Sequence, residues 1–441
     1  MLGTALTNFG IGVWAYQKAG NVSDFTWIAI AGALPSLLLT PFAGALADRY
    51  SRRKILLFGQ IGSMFCTLAL VSLFLNNELE IHRIFIIVAI SSIFGSFMVP
   101  AFSASVPMLV KQEKLGQANG TVTLFFGMAQ MLGPGISAFV IDNYGINAVF
   151  IFDFFSFLVG IFVLAVIRIP SPKPGEHVVE EKGKLIEEMK FAWTYMRGKK
   201  GLMGVVGINA MLFLNIGAMQ VLILPMVLGF ATRTDLGMIQ SIGGIGVIIG
   251  GTIMMAWGGP QRKVVGSFLG CTLVGLALVF IPMFKSVAIL AIGSIIITAS
   301  VPIASACTQV IWQRKVAPEV QARVFSFRNA ISNAMVPVGY LISGRLADSV
   351  FEPNLAVGGA WADSLGLIYG VGEGRGAAVM ITMFGLISLV VLVLSWLNPN
   401  IREIEDRLPE YPVEPEATSG HKEDGDREGA EIKRDEGVAP A

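Results

Sequence analysis

The sequence predicts an all-α membrane protein in which twelve transmembrane helices form two six-helix bundles. Of its 441 residues, 54% are hydrophobic and only 14% are charged, and the mean hydropathy is +0.68. The apolar runs are continuous and close to the roughly 20 residues that a spanning helix needs, whereas barrel strands alternate over about ten residues. Six such runs, a polar linker and six further runs follow one another along the chain.

The first half of the chain, residues 1–168, contains the first six predicted spans. Their bounds are 2–16, 25–47, 54–75, 82–106, 117–141 and 146–168. The first run reaches only about 25 Å at 1.5 Å per residue, less than the hydrocarbon core of about 30 Å. We therefore expect the given sequence to lack the first turns of this helix.

A cytoplasmic central loop, residues 169–200, separates the two halves. Residues 170–184 are rich in Pro, Lys and Glu and are typical of a linker. An amphipathic helix is predicted over 185–196, because apolar side chains share one helical face. These are Leu185, Ile186, Met189, Ala192, Trp193 and Met196. The helix either lies on the inner membrane surface or packs beneath the two bundles.

The second half, residues 201–397, contains the other six predicted spans. Their bounds are 201–229, 236–257, 264–283, 286–312, 323–347 and 377–397. The tail, residues 398–441, is charged, contains Pro and Gly, and has no apolar run. Such a composition predicts a disordered cytoplasmic tail.

The basic residues of the loops predict the orientation in the membrane. Loops rich in Lys and Arg remain in the cytoplasm, and the loop between spans 2 and 3 carries Arg49, Arg52, Arg53 and Lys54. Further basic residues lie on the same side, namely Lys111, Lys114, Lys173, Lys182, Lys184, Lys190, Arg197, Lys199, Lys200, Arg262, Lys263, Arg314 and Lys315. The other side has only Lys18, Arg83, Arg233, Lys285 and Arg375. Both termini are therefore predicted to be cytoplasmic.

The loop after span 2 also carries a motif. Gly44-x-x-x-Asp48-Arg49-x-x-Arg52-Arg53-Lys54 resembles the loop 2–3 signature of the major facilitator superfamily. An ordinary cytoplasmic loop would need the basic residues but not the spacing from glycine to aspartate. The resemblance implies the major facilitator fold. It also implies that Gly44, Asp48, Arg49, Arg52 and Arg53 form a conformational latch between the two halves at the inner face.

An internal repeat agrees with this resemblance. Span 2 ends with Gly44-Ala-Leu-Ala-Asp48, and span 11 ends with Gly344-Arg-Leu-Ala-Asp348. In a nested inverted repeat these two helices occupy related positions on opposite sides of the membrane. The match therefore supports a two-half transporter architecture.

Within the superfamily, the chain resembles the macrolide-efflux and enterobactin-exporter branch. The matching stretches include Gly12-Val-Trp-Ala-Tyr-Gln17, Trp312-Gln-Arg-Lys-Val-Ala-Pro318 and Gly370-Val-Gly-Glu-Gly-Arg-Gly376. The resemblance implies a monomeric secondary transporter in the bacterial cytoplasmic membrane that exports small amphipathic molecules (a drug, siderophore or peptide-like metabolite) by proton antiport. No enzyme activity, cofactor, metal or nucleic-acid partner is expected. An importer or facilitator of the same fold, and a non-transporting receptor or scaffold, remain alternatives.

One acidic residue, Asp153, lies well inside a predicted span. Ionisable residues in a bilayer are costly and are candidates for function. Asp153 is therefore our candidate for carrying the coupling proton. The alternative is a structural acid that is hydrogen-bonded to a neighbouring hydroxyl or backbone group.

Span 5 contains Gly133-Pro134, which predicts close helix packing and a bend. The pair partly matches a helix 5 motif of exporters in this superfamily. Several polar residues in the spans are candidates for a substrate path, although such groups also join helices to one another. They are Asn8, Gln130, Asn209, Gln220, Ser326, Asn329 and Asn333.

Overall fold

The computed structural model describes residues 1–111, 114–167 and 184–411. In these ranges the secondary structure is helical and contains no strand. The first half of the chain forms α1 (Leu2–Ala19), α2 (Val22–Arg49), α3 (Arg52–Leu75), α4 (Ile81–Leu109), α5 (Leu115–Tyr144) and α6 (Ile146–Val166). The central segment forms α7 (Lys184–Gly198).

The second half forms five long helices, two short ones and a further long one. They are α8 (Leu202–Leu228), α9 (Arg233–Trp257), α10 (Lys263–Phe280), α11 (Val287–Lys315), α12 (Gln321–Leu346), α13 (Glu352–Leu355), α14 (Gly366–Tyr369) and α15 (Arg375–Leu397). Two short helices, α16 (Pro399–Arg402) and α17 (Ile404–Arg407), follow. A π-helical turn, Ala347–Phe351, continues α12 at its C-terminal end.

Ten helices of the described chain are long and apolar enough to cross a membrane. Helices α1 and α12 are not in this group because their polar side chains lower the mean hydropathy. Both nevertheless pack among the other long helices. The predicted class, an all-α membrane protein, is thereby confirmed, with ten of the twelve predicted spans recognised by length and composition. The composition of α1 and α12 alone does not identify them as spans.

Each half has its own set of helix contacts. In the N-terminal half α2 packs on α4, α3 packs on α4 and α6, and α1 packs on α5 and α6. In the C-terminal half α8 packs on α12 and α15, α11 packs on α9 and α10, and α10 packs on α15. Two pairs, α5 with α9 and α2 with α12, provide most of the contact between the halves.

The two halves touch at one face and separate toward the other. We call the face that carries residues 50–54 the inner face, following the charge distribution of the loops. Away from that face, the backbones of α5 and α9 are so close that a Cβ added at Gly244 would lie 2.5 Å from Cα of Met131. Nearer the inner face, a Cβ added at Gly127 or Gly251 meets no described atom within 4 Å. We call this arrangement of the described residues inward-open.

Helix α7 packs against the inner end of the C-terminal half. Ala192 and Met196 are fully buried, and the rings of Trp193 and Phe327 meet edge to face at 6.4 Å. Met189 remains exposed. The main contacts of α7 are with α8 and α12, so it packs beneath one bundle, whereas the sequence suggested packing beneath both or a position on the membrane surface.

Residues 399–411, which we call the C-terminal clip, are ordered beneath the C-terminal half. The buried ammonium of Lys315 donates to the carbonyl oxygens of Glu405 and Leu408, at 2.5 and 2.9 Å. The Glu405 carboxylate accepts from the backbone N–H groups of Lys263 and Val264, the start of α10. The disorder expected from residue 398 onward is therefore wrong for the clip, because these buried contacts hold it. Residues 412–441 lie outside the described part.

Candidate functional site

The polar residues predicted to line a path divide into two groups. Asn8, Gln130, Ser326, Asn329 and Asn333 are exposed, and so is Gln220. Ser326, Asn329 and Asn333 lie on one face of α12, in its N-terminal half, and form a polar stripe.

The other two predicted path residues join helices. Asn209 on α8 donates to the Ser332 hydroxyl at 2.8 Å, and Gln220 on α8 accepts from the Tyr340 hydroxyl at 2.6 Å. Both bonds connect α8 to α12. Such polar contacts between helices stabilise a bundle, in agreement with the alternative considered for these residues.

Arg328 lies beside the polar stripe and was not among the predicted path residues. Its side chain is only 7% exposed. The guanidinium donates to Gln309 and Asn329, each at 2.9 Å, and lies 5.3 Å from the ring centroids of Trp312 and Phe325. The partners described for this cation are neutral.

Asp153 is placed in the interior of the N-terminal half. It is 2% exposed and accepts hydrogen bonds from the hydroxyls of Thr7 on α1 and Thr67 on α3, at 3.0 and 3.1 Å. A Cβ added at Gly3 would lie 2.5 Å from the carboxylate. The carboxylate thus joins α1, α3 and α6, and it does not lie on the polar stripe.

The loop signature is described only in part, because the side chains of Gly44, Asp48 and Arg49 lie outside the described residues. Arg52 contacts Sδ of Met108. Arg53 donates through Nε to the carbonyl oxygen of Leu164 at 2.8 Å, and also to that of Ala165. A cation at this position is favourable, because the end of α6 carries partial negative charge.

The helix 5 glycines allow two close contacts. A Cβ added at Gly133 would lie 2.8 Å from Cβ of Ala5, so this glycine permits α1 to approach α5. Pro134 lies inside the helix, and the N–H of Gly135 donates to the Ser241 hydroxyl of α9 at 2.9 Å. Ser241 had no role in the sequence analysis. The spacing of the small residues Gly237, Ser241 and Gly244 on one face could have indicated this contact.

The outer contact between α2 and α12 depends on Asp348. Its two carboxylate oxygens accept from the backbone N–H groups of Val22 and Ser23, at 2.9 and 2.6 Å. The Ser23 hydroxyl donates to the carbonyl oxygen of Gly344 at 3.2 Å. A second outer contact joins Asp142 to Arg233, at 3.0 Å. The repeat of the Gly44–Asp48 motif had indicated Asp348 without giving it a function.

Two groups of six long helices that close at one face and open at the other are the architecture of a secondary transporter. The family model described as Major Facilitator Superfamily matches residues 1–340, and the chain belongs to this superfamily. It is therefore a multi-pass membrane transporter.

Characterised relatives include efflux proteins. Macrolide efflux protein A of Streptococcus pyogenes is 24% identical over 357 residues, which cover 79% of this chain and 87% of that protein. Macrolide efflux protein A of Enterococcus faecalis is 25% identical over 71% of this chain and 97% of its own length. The multidrug efflux pump Tap of Mycolicibacterium fortuitum is 24% identical over 76% of this chain and 83% of its own length.

Solved structures share the fold at low sequence identity. A POT family transporter in complex with 5-aminolevulinic acid gives a TM-score of 0.66 at 13% identity, covering 91% of this chain and 94% of the other. A bacterial homolog of the human lysosomal transporter Spinster, in an inward-facing and unoccupied conformation, gives 0.60 at 15% identity, covering 89% and 94%.

Proposed function

We propose that this protein exports small amphipathic molecules from the cytoplasm. The observation that carries the proposal is the polar stripe of Ser326, Asn329 and Asn333, which is exposed on the half of α12 nearer the inner face. A molecule with both polar and apolar parts could bind the stripe and the neighbouring apolar helix surfaces together. Efflux proteins among the relatives favour export over import.

The energy for export comes, in this proposal, from proton antiport. Asp153 is the candidate proton carrier, and its hydroxyl partners lie on α1 and α3. Gaining or losing a proton would change which hydrogen bonds this carboxyl accepts or donates. Coupling would then act through the packing of α1, α3 and α6, since Asp153 does not touch the polar stripe.

The proposal includes the placement of the protein in the membrane. The chain lies in the bacterial cytoplasmic membrane as a monomer, with both termini in the cytoplasm. The signature residues Gly44, Asp48, Arg49, Arg52 and Arg53 form the inner latch of the outward-facing state, as the resemblance to the superfamily implies. Export then alternates between the inward-open state and one in which this latch is closed.

Transport in everted membrane vesicles tests the function. The vesicles expose the inner face, so an exporter accumulates a compound from a chemically varied panel when a proton gradient is imposed. Collapse of the gradient should stop accumulation. Accumulation by right-side-out vesicles under the same gradient would instead identify an importer, and no transport of any compound by folded protein would favour a receptor or scaffold.

A further inference from the structure

We propose that Asp348 is an outer latch, which stabilises the inward-open state by binding the start of α2 through its backbone. The inference rests on the proposed alternation between two states, and it adds a residue and a contact that the inner signature does not contain. The outer latch consists of Gly344 and Asp348 on one side, and Val22, Ser23 and Thr26 on the other.

The contact crosses between the two halves of the molecule. Asp348 follows α12, whereas Val22 and Ser23 form the first turn of α2. The first N–H groups of a helix have no partner within it and carry partial positive charge. A carboxylate that accepts two of them, at 2.9 and 2.6 Å, makes charge-assisted bonds, which are among the stronger hydrogen bonds in proteins.

The residues next to the start of α2 do not supply acceptors for the two N–H groups that Asp348 binds. Asn21, the residue before α2, accepts through its side chain from the N–H of Asp24 at 2.8 Å. It therefore caps one N–H of the first turn of α2. The N–H groups of Val22 and Ser23 depend on the other half. If the halves separate at the outer face, water takes these two N–H groups, so the contact can break and re-form.

Gly344 makes the approach of the two helices possible. A Cβ added there would lie 2.2 Å from Oγ1 of Thr26. Residues four apart lie on one helical face, so Gly344 and Asp348 meet α2 together. The spacing of glycine and aspartate therefore has a physical reason here: the glycine permits contact, and the aspartate binds the helix start one turn further.

The repeated motif indicates which conformational state the outer latch favours. Gly44 and Asp48 have the same spacing at the end of α2, toward the inner face, and Gly344 and Asp348 lie toward the outer face. By the inverted relation of the two helices, Asp348 is engaged when the outer face is closed, and Asp48 when the inner face is closed. The two aspartates thus favour opposite states.

The test measures the distance between the halves at the outer face. Spin labels are placed at Asn76→Cys and Ala360→Cys, both at exposed positions, with the three buried native cysteines replaced. Asp348→Asn should increase the outward-open population relative to the inward-open one by about tenfold, equivalent to about 1.4 kcal/mol. Asp363→Asn, which changes an exposed acid of the outer loop, is the matched control and should leave the distribution unchanged.

A size variant tests the same latch without removing a charge. Gly344→Ala should also open the outer face, and adding Thr26→Gly should reverse the effect by restoring the space. An unchanged distance distribution in both Asp348→Asn and Gly344→Ala overturns the outer latch. A shift in the same direction for Asp48→Asn and Asp348→Asn overturns the opposition between the two aspartates.

Transport is measured separately on the same variants. Because the distance readout needs no substrate, a shift in Asp348→Asn supports the latch even if no exported compound is found. Failure of the wild-type protein to transport any compound would count against the proposed export function only. The two proposals can thus fail independently.

Discussion

At the residue scale, Asp153 has the environment that is hardest to infer from sequence. Its position in an apolar span marked it as unusual, but its partners come from α1 and α3, more than 80 residues away in the chain. Hydroxyl groups of threonine are too common in spans for the sequence to select Thr7 and Thr67. The sequence therefore showed that Asp153 is an acid within an apolar span, but it did not show which hydroxyl groups surround the carboxylate.

We expect Asp153→Asn to abolish proton-driven export while the protein stays folded. Asparagine retains an oxygen that can accept from Thr7 and Thr67 but cannot release a proton. The measurement is accumulation in everted vesicles under an imposed pH gradient. Thr67→Val, which removes one hydroxyl and leaves the carboxyl, is the control and should retain gradient dependence. Wild-type gradient-driven export by Asp153→Asn would leave this residue a structural role.

We expect Asp48→Asn to slow transport by about tenfold, because a loss of about 1.4 kcal/mol from one state changes the ratio of states by that factor. The physical reason is weakening of the proposed inner latch. Initial rates of export, normalised to the amount of folded protein in the membrane, measure the effect. Full-rate transport by a normally expressed variant would contradict the role of the signature.

At the element scale, the pairing of α5 with α9 shows how small residues determine where the halves meet. Long apolar runs predicted both helices, but the runs do not reveal which faces touch. The contact depends on individual atoms, including the bond from Gly135 to Ser241. Short helices are similarly difficult, because α16 and α17 are held by Lys315 and by the start of α10 rather than by their own composition.

Two glycines of α9 offer a matched comparison. We expect Gly244→Ala to destabilise the inward-open protein by about 1–3 kcal/mol, because the new methyl group overlaps the backbone of Met131. Gly251→Ala has no described atom within 4 Å of the new group, and we expect it to stabilise the helix by about 0.5–1 kcal/mol. Thermal unfolding in detergent measures both, and equal effects of the two changes would contradict the close contact.

Truncation tests the C-terminal clip. Ending the chain after Tyr411 keeps every described contact and should leave the unfolding temperature unchanged. Ending it after Asn398 removes the buried side chains of Ile401 and Ile404, and burial of each is worth about 1.5–3 kcal/mol, so we expect the shorter chain to be less stable. Lys315 then loses its carbonyl acceptors but becomes accessible to water. Equal stability of the two truncated chains would show that the clip is dispensable.

At the scale of the whole molecule, the described contacts at the outer face join the two halves in the inward-open arrangement. The sequence predicted two halves and their internal repeat, because the hydropathy pattern and the Gly44–Asp48 motif are local features. It did not predict which state the chain adopts, since both states use the same helices. The contacts between the halves in the observed state, such as those of Asp348 and Asp142, join residues that are far apart in the sequence.

Chemical labelling checks this arrangement in membranes. With the native cysteines replaced, Asn329→Cys should react with a membrane-impermeant maleimide in everted vesicles and not in right-side-out vesicles. Ser241→Cys should be protected in both, because its side chain lies in the closed contact between α5 and α9. Labelling of Asn329→Cys only from the outer side would reverse either the orientation or the open face.

In the described part of the molecule, three carboxylates bind the main chain at the start of another helix: Asp348 at α2, Glu352 at Gly374 and Ala377 where α15 begins, and Glu405 at α10. Every residue except proline presents the same backbone N–H. The two bonds that Asp348 accepts therefore do not depend on which side chains stand at positions 22 and 23. Methods that infer contacts from correlated substitutions would find little signal between these helices, even though the contact is short and charged. At the contact of Asp348 with α2, the residues that join the two halves need not covary.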